Sequence, residues 1–339
     1  MDKLHWLKIR KIFDHIVDKT PSHRKDYIMM VCEGNETLKA DVESLLIAND
    51  HACENTVAWL PHDNEQHDIS EFAGFKIIRE LGRGGMGVVY HALDQNNNDV
   101  ALKVLPAYLV QGNHARERFE QEARALRCVS HESICQIMDV FCDDSGQPCI
   151  MMELCTGEPL GAQHRNKPID VDVALSIIKQ VASALAVAHR QGIFHRDIKP
   201  ENIIVNVDNR IKLIDFGIAK FADTRLTATG IVIGSPSYMS PEQWRCEKVD
   251  QRTDLWSLGV LLYEMLAGGK PFERPTKVEL AKAVFEENPK DIPFDNNAGI
   301  NKDVGLKMQK IVFKLMQKNP DYRYNSCEDL LKDLSTLGR

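Results

Sequence analysis

The chain has 339 residues, 43% hydrophobic and 27% charged, with a net charge of −7. That composition excludes a disordered or fibrous chain, and the acidic balance excludes a generally basic nucleic-acid coat. At about 150 residues per domain, the length suits one large domain or two modest ones.

The N-terminus lacks the uninterrupted apolar stretch of a secretory signal. No run approaches the roughly 18–20 residues of a spanning helix; Leu258 to Ala267, the longest, is interrupted by Gly259, Tyr263 and Glu264. A soluble, cytoplasmic chain with neither membrane nor nucleic-acid partners is expected. The nine cysteines form no CxxC pair, so neither a disulfide framework nor a structural zinc site is expected. The seven-residue spacing of Cys128, Cys135, Cys142 and Cys149 is crossed by Gly146 and Pro148, which rules out one helical face.

In chain order, Leu4, Leu7, Ile9, Ile12, Phe13, Ile16 and Val17 recur at helical spacing. Thr20-Pro21-Ser22 breaks that helix and opens a second over 22–32, and Gly34-Asn35 ends it. A third helix over 36–49 carries Leu38, Val42, Leu45, Leu46 and Ile47. Residues 1–30 hold seven Lys/Arg against four Asp/Glu, and residues 31–72 one Lys against ten acids. A small helical module (1–50) followed by an acidic linker (51–71) is the simplest reading.

From Phe72 the pattern becomes β-like. Runs at 75–81, 88–93 and 100–105 are rich in Val, Ile and Tyr and separated by Gly or Asn. A charged amphipathic helix is expected over 114–129, then strands at 136–142 and 148–154. After Thr156 the periodicity is mainly helical, at 171–190, 253–267, 277–286, 303–317 and 326–336.

Several segments carry chemistry. Gly82, Gly84, Gly87 and Val89 give G-x-G-x-x-G-x-V between two β-like runs. Glycines let backbone N–H groups approach phosphate oxygens. The rival reading, a dinucleotide fingerprint, needs a helix after the third Gly; here Val88, Val89 and Tyr90 follow. Val100-Ala101-Leu102-Lys103 places a cation on an apolar strand, where it needs a polar site or an acid. Glu117, Glu120 and Glu122 are candidate partners. The stretch Ile193–Asn202 packs polar residues after Ile193-Phe194, as a catalytic loop does. Asp197 can accept a hydroxyl proton, Lys199 can neutralise a phosphoryl group, and Asn202 can ligate a metal through oxygen. Asp215 follows the apolar run Leu213-Ile214 and adds a second hard oxygen ligand.

In order, the glycine loop, Lys103, Glu122, His195-Arg196-Asp197, Asp215-Phe216-Gly217, Ser240-Pro241-Glu242 and Asp254-Leu255-Trp256-Ser257-Leu258-Gly259 resemble the signature of protein kinases. The chain resembles the bacterial eukaryotic-like Ser/Thr protein kinases over about residues 72–337. Lys199-Pro200-Glu201 matches the Ser/Thr branch. The resemblance implies an α+β, two-lobed fold with a β-rich N-lobe (72–155) and an α-rich C-lobe (156–337).

It also implies ATP and Mg²⁺ as cofactors, with Mn²⁺ as a substitute. Lys103 would hold the α/β-phosphates and pair with Glu122. Asp197 would deprotonate the acceptor hydroxyl, Lys199 would stabilise the γ-phosphoryl, and Asn202 and Asp215 would hold the metal. Leu81, Gly82, Gly84 and Gly87 would cover the nucleotide. Val89 and Ala101 would pack the adenine, with Ile204 beneath it and Met152 behind it. Glu153 and Cys155 would present backbone groups to the adenine edge. Arg196 would receive a phosphate from an activation loop holding Thr224, Thr227 and Thr229. Ile218 would favour threonine acceptors, and Glu242 would pair with Arg323.

Two segments depart from the family pattern. Gly234-Ser235-Pro236-Ser237-Tyr238 has Ser and Pro where Thr and another residue are usual, and His131-Glu132-Ser133-Ile134 alters a connector. Nothing essential is missing. A transferase acting on protein Ser or Thr hydroxyls is expected, with protein substrates as partners and a second copy of the chain as a further candidate. The alternatives are a nucleotide-binding scaffold without phosphotransfer and a small-molecule kinase of related fold.

Overall fold

The computed structural model describes residues 12, 27–32, 35, 38–39, 42, 71–84, 87–106, 119, 121, 126–163, 167–216, 235–294 and 302–338. Packing divides the chain into two units, residues 1–57 with 83–87 and residues 58–82 with 88–339. In the first unit Ile12, Ile28, Cys32, Leu38 and Val42 form a small buried cluster. Residues 27–31 are helical, as the spacing predicts. Asn35 does more than end a helix: its Oδ1 accepts the Leu38 N–H at 3.0 Å, which caps the next helix.

From residue 71 the chain forms a six-stranded sheet. Its strands are β1 (Glu71–Phe72), β2 (Phe75–Gly84), β3 (Gly87–Leu93), β4 (Asp99–Val104), β5 (Ile137–Cys142) and β6 (Pro148–Glu153), in the order β1-β2-β3-β4-β6-β5. Alternation along β4 sorts its side chains between two faces. Val100 and Leu102 join Ala92 and Cys149 in one cluster. Ala101 joins the main core, and Lys103, two residues on, shares its face. The helix expected over 114–129 is represented by helical Phe119, Gln121, Leu126 and Arg127.

Beyond the sheet lie α1 (Val171–Arg190), α2 (Arg252–Ala267), α3 (Lys277–Glu286), α4 (Lys302–Leu315) and α5 (Cys327–Ser335), each within a few residues of its expected bounds. Asp170 caps α1 by accepting from the N–H groups of Asp172 and Val173. α1 is long and apolar enough to cross a membrane by length and composition, but 61% of that window is buried. Its Ala, Leu, Ile and Val residues fill the helical core instead.

A second sheet was only half legible. Strands β7 (Glu158–Pro159), β8 (Ile203–Val205) and β9 (Ile211–Leu213) pair antiparallel in that order. Such short strands give too few residues for a period-2 signal. Gly157, just before β7, has φ +127°, and a Cβ there would lie 2.4 Å from the Val205 carbonyl oxygen. Gly157→Ala should therefore cost about 2–4 kcal/mol through strain and clash. Urea unfolding checks this, and an unchanged midpoint would refute it.

Lys318 is held between aromatic rings, its Nζ 5.0 Å from the Trp256 centroid and 4.3 Å from that of Phe272. Among the described residues Nζ has no hydrogen-bond partner. Burial pushes its pKa down to about 8 from 10.5, against the pull of Glu287. A depressed lysine pKa destabilises the fold below the folded value and stops doing so above the unfolded one. Stability should thus rise between pH 8 and 10.5. Lys318→Met should flatten that rise and stabilise the neutral-pH protein by about 1 kcal/mol, the half-buried side chain being partly screened. Thermal melts across that range test both statements.

Candidate active site

Two turns converge between the sheet and the helices. The first, residues 195–202, follows α1. Asp254, fully buried on α2, fixes it by accepting from the backbone N–H groups of His195 at 2.8 Å and Arg196 at 2.7 Å. His189 Nε2 lies 2.8 Å from the same carboxylate. Burial alone would raise the Asp254 pKa, but these partners, His189 first, hold it below the usual carboxylate range. Gln243 Nε2 donates to the Arg196 carbonyl at 2.9 Å, while its Oε1 accepts the Ser240 N–H in a capping box. This clamp holds Arg196 at φ +63°, a strained conformation for a side-chain-bearing residue.

The clamp presents Asp197. Its Oδ2 lies 3.1 Å from Lys199 Nζ and 3.2 Å from Asn202 Nδ2, which also donates to the Asp197 carbonyl at 2.8 Å. Burial disfavours the Lys199 ammonium, yet Asp197 outweighs it and the pKa is raised. Lys199 therefore stays charged at neutral pH.

The second turn follows β9. The Ile214 N–H donates to the Asn202 carbonyl at 2.9 Å, tying the two turns together. His195 Nε2 meets the Ile214 carbonyl at 2.9 Å, and the His195 ring lies 4.6 Å from that of Phe216. Asp215 sits at φ +58°, a region Asp tolerates better than most residues. Its Oδ1 accepts from Lys103 Nζ at 2.6 Å, and Lys103 is buried. The partner anticipated for Lys103, Glu122, lies outside the described residues. So do Gly217, Ile218, Thr224, Thr227, Thr229 and Gly234.

With Nδ2 committed to Asp197, Oδ1 is the Asn202 amide's remaining ligand atom; Asp215 supplies carboxylate oxygen one residue past the shared backbone bond. Two hard oxygen donors of this kind, beside Asp197, suit a hard divalent cation.

Ala101 and Met152 are register partners on β4 and β6 and are buried, as is Ile204 on β8. Leu81, Val89 and Cys155 are partly buried against the main core. Gly82 lies on β2 as Gly84 does, and Gly87 opens β3 at φ +120°. The Glu153 side chain is engaged elsewhere, with Lys212 Nζ at 2.7 Å and the Gln136 N–H at 3.2 Å. A cavity of about 670 Å³ lined by His91, Asp99, Gln136, Met138, Glu153, Leu154 and Thr156 shares only Glu153 with the expected nucleotide residues. Neither Lys103 nor Asp197 lines it.

Farther off, Glu242 and Arg323 form the expected pair, bidentate at 2.7 and 2.9 Å, with Thr253 Oγ1 donating to Glu242 at 2.8 Å. The positioning roles of Asp254, His189 and Gln243 were not assigned from sequence. A carboxylate inside the otherwise apolar α2 was the available signal.

The protein kinase domain family matches residues 75–334. The chain belongs to that family. It is 36% identical to the serine/threonine-protein kinase PknB of Mycobacterium leprae over 281 residues, covering 81% of this chain but 43% of that protein. It is 36% identical to the serine/threonine-protein kinase Pkn1 of Myxococcus xanthus over 259 residues, 74% of this chain and 36% of that one. The chain thus spans only about two-fifths of such curated relatives. Among solved structures, the PknI kinase domain of Mycobacterium tuberculosis matches with a TM-score of 0.62 at 26% identity, over 81% of this chain and all of that one. A Rad53 structure in complex with AMP-PNP matches with a TM-score of 0.62 at 24% identity over 76% of this chain, a likeness of fold alone. The protein-kinase fold is the one the sequence motifs imply.

Proposed function

We propose that the chain is an ATP-dependent Ser/Thr protein kinase, with the kinase unit over residues 72–337. The observation that carries the reading is the Asp197–Lys199–Asn202 constellation tied through Ile214 to the Lys103–Asp215 pair. Phosphoryl transfer needs positioning and charge neutralisation more than covalent chemistry, and these side chains supply both.

Asp197 orients the acceptor hydroxyl and takes its proton. Lys199 neutralises charge on the phosphoryl oxygens, and Lys103 holds the α/β-phosphates with Glu122 as its partner. Asn202 and Asp215 hold Mg²⁺, with Mn²⁺ as a substitute; bound there, the metal supplies neutralising charge to the phosphates. Gly82, Gly84 and Gly87 offer backbone N–H groups to the phosphates, beside Leu81. Val89, Ala101, Met152 and Ile204 form the apolar walls for adenine, and the backbones of Glu153 and Cys155 face its polar edge.

Arg196 adjoins Asp197, and a phosphate of about −1.5 to −2 charges on the 218–239 loop would neutralise it. Thr224, Thr227 and Thr229 are the acceptors there. Replacing Thr227 and Thr229 together by Ala should lower activity roughly tenfold or more, measured as the rate on a protein acceptor; an unchanged rate removes this control. The deciding experiment is incubation with Mg·ATP and mass-spectrometric phosphosite mapping, with Asp197→Ala as control. Phosphate on loop threonines in the wild type alone supports the reading. A protein that phosphorylates neither itself nor any protein acceptor overturns it.

A further inference from the structure

We propose that Cys135 and Cys155 form a peroxide-responsive modification site, closing to a disulfide across the Glu153 carbonyl and weakening nucleotide binding. The inference rests on the kinase reading only for its consequence.

Both thiols converge on one atom. Cys135 Sγ donates to the Glu153 carbonyl oxygen at 3.4 Å and Cys155 Sγ to the same oxygen at 3.8 Å. The neighbouring Cys155 side chain, ahead of burial, pushes the Cys135 pKa well above its ordinary value. Cys135 lies two residues before β5 and Cys155 two residues after β6, so the pair bridges two segments 20 residues apart in sequence.

Those segments are already tied together. The Glu153 N–H donates to the Gln136 carbonyl at 2.9 Å, and the Gln136 N–H to Glu153 Oε2 at 3.2 Å. The Cys135 N–H is anchored to the Leu213 carbonyl at 3.0 Å. Closure would join two segments that these backbone and side-chain hydrogen bonds already hold together.

Exposure sets the order of events. Cys155 is partly exposed and Cys135 is buried. Cys155, as thiolate, attacks one oxygen of hydrogen peroxide; the O–O bond breaks, and Cys155 becomes a sulfenic acid while hydroxide leaves and takes up the thiol's proton as water. Cys135 Sγ then attacks the sulfenic sulfur. The S–OH bond breaks, the S–S bond forms, and the Cys135 proton leaves with the hydroxide as a second water. Two thiols are oxidised and one peroxide is reduced.

A disulfide of about 2.05 Å removes both S–H donors from the Glu153 carbonyl and draws residue 155 toward β5. In the proposed site that stretch of backbone reads the adenine edge. Affinity for ATP should fall about tenfold, the scale of one lost hydrogen bond in a desolvated site, and recover on reduction.

The test treats the full chain with hydrogen peroxide, blocks free thiols, and maps peptides by mass spectrometry without reduction. Binding of a fluorescent ATP analogue is measured in parallel, before and after dithiothreitol. Cys135→Val is the control, with Cys135→Ala in reserve should the first fail to fold. The expected result is a Cys135–Cys155 linked peptide with a reversible loss of analogue binding, and neither effect in the Cys135 variant. A chain that links and loses binding but transfers no phosphate upholds the inference and removes only the kinase assignment. Absence of the linked peptide, linkage with unchanged binding, or equal loss in the Cys135 variant each overturns it.

Discussion

Asp197→Asn should lower phosphotransfer by about 10²–10⁴-fold while leaving the fold and nucleotide binding intact. The substitution keeps the side chain's shape. It also keeps an oxygen for Lys199 Nζ and Asn202 Nδ2, now 3.1 and 3.2 Å from Oδ2. What disappears is the negative charge and the capacity to take a proton. Lys199, whose raised pKa depends on Asp197, should then titrate lower and hold its charge less firmly. The measurement is the rate of autophosphorylation beside the Kd for an ATP analogue. A variant that binds the analogue normally and turns over at the wild-type rate would remove Asp197 from the chemistry. A variant with a much lower melting temperature would mean that Asp197 serves the fold instead.

The second large effect is on stability. Glu242→Ala should cost about 3–5 kcal/mol, because it strands the buried Arg323 guanidinium. Glu242 and Arg323 are 5% and 3% exposed, so water cannot replace the lost partner. Arg323 would retain the carbonyls of Gln317 at 2.8 Å and Arg252 at 2.9 Å, which soften the loss without neutralising the charge. Burial alone would raise the Glu242 pKa, but the Arg323 hydrogen bonds and charge outweigh it and hold the group below 4.5. A carboxyl with a depressed folded pKa stabilises the fold above its unfolded value, and that stabilisation fades as pH falls through the folded value. Wild-type stability should therefore fall steeply below pH 4.5, and part of that slope should vanish in Glu242→Ala. Urea titrations between pH 3 and 7 read both quantities; a loss under about 1 kcal/mol at pH 7 would place the pair among ordinary surface ion pairs.

The parts of this protein that were legible in its sequence are those where one residue type has one use. Alternation along Val100–Val104 and the helical spacing of 171–190 set strands and helices, because burying one face requires that period. The order of Lys103, Asp197, Lys199, Asn202 and Asp215 pointed to the proposed chemistry, since hard oxygens and two lysines in that order suit phosphoryl transfer. The run 171–190 is apolar enough for a membrane by length and composition, and its burial bears out the reading of it as a helix of the helical half.

Tertiary structure alone decided what holds the catalytic loop in place. Asp254 lies 57 positions beyond Asp197 in the chain, and no local pattern says that its carboxylate accepts the His195 and Arg196 N–H groups. The same is true of Ile214, whose N–H to the Asn202 carbonyl ties together the segments of the two proposed metal ligands. It holds for Cys135 and Cys155, which share a carbonyl only because two strand ends meet there. The sequence by itself determined the fold class and the candidate site residues, through periodicity and residue chemistry acting over a few positions. Which groups meet across long chain separations was decided by packing, because such contacts arise only when distant backbone segments are brought within hydrogen-bond reach.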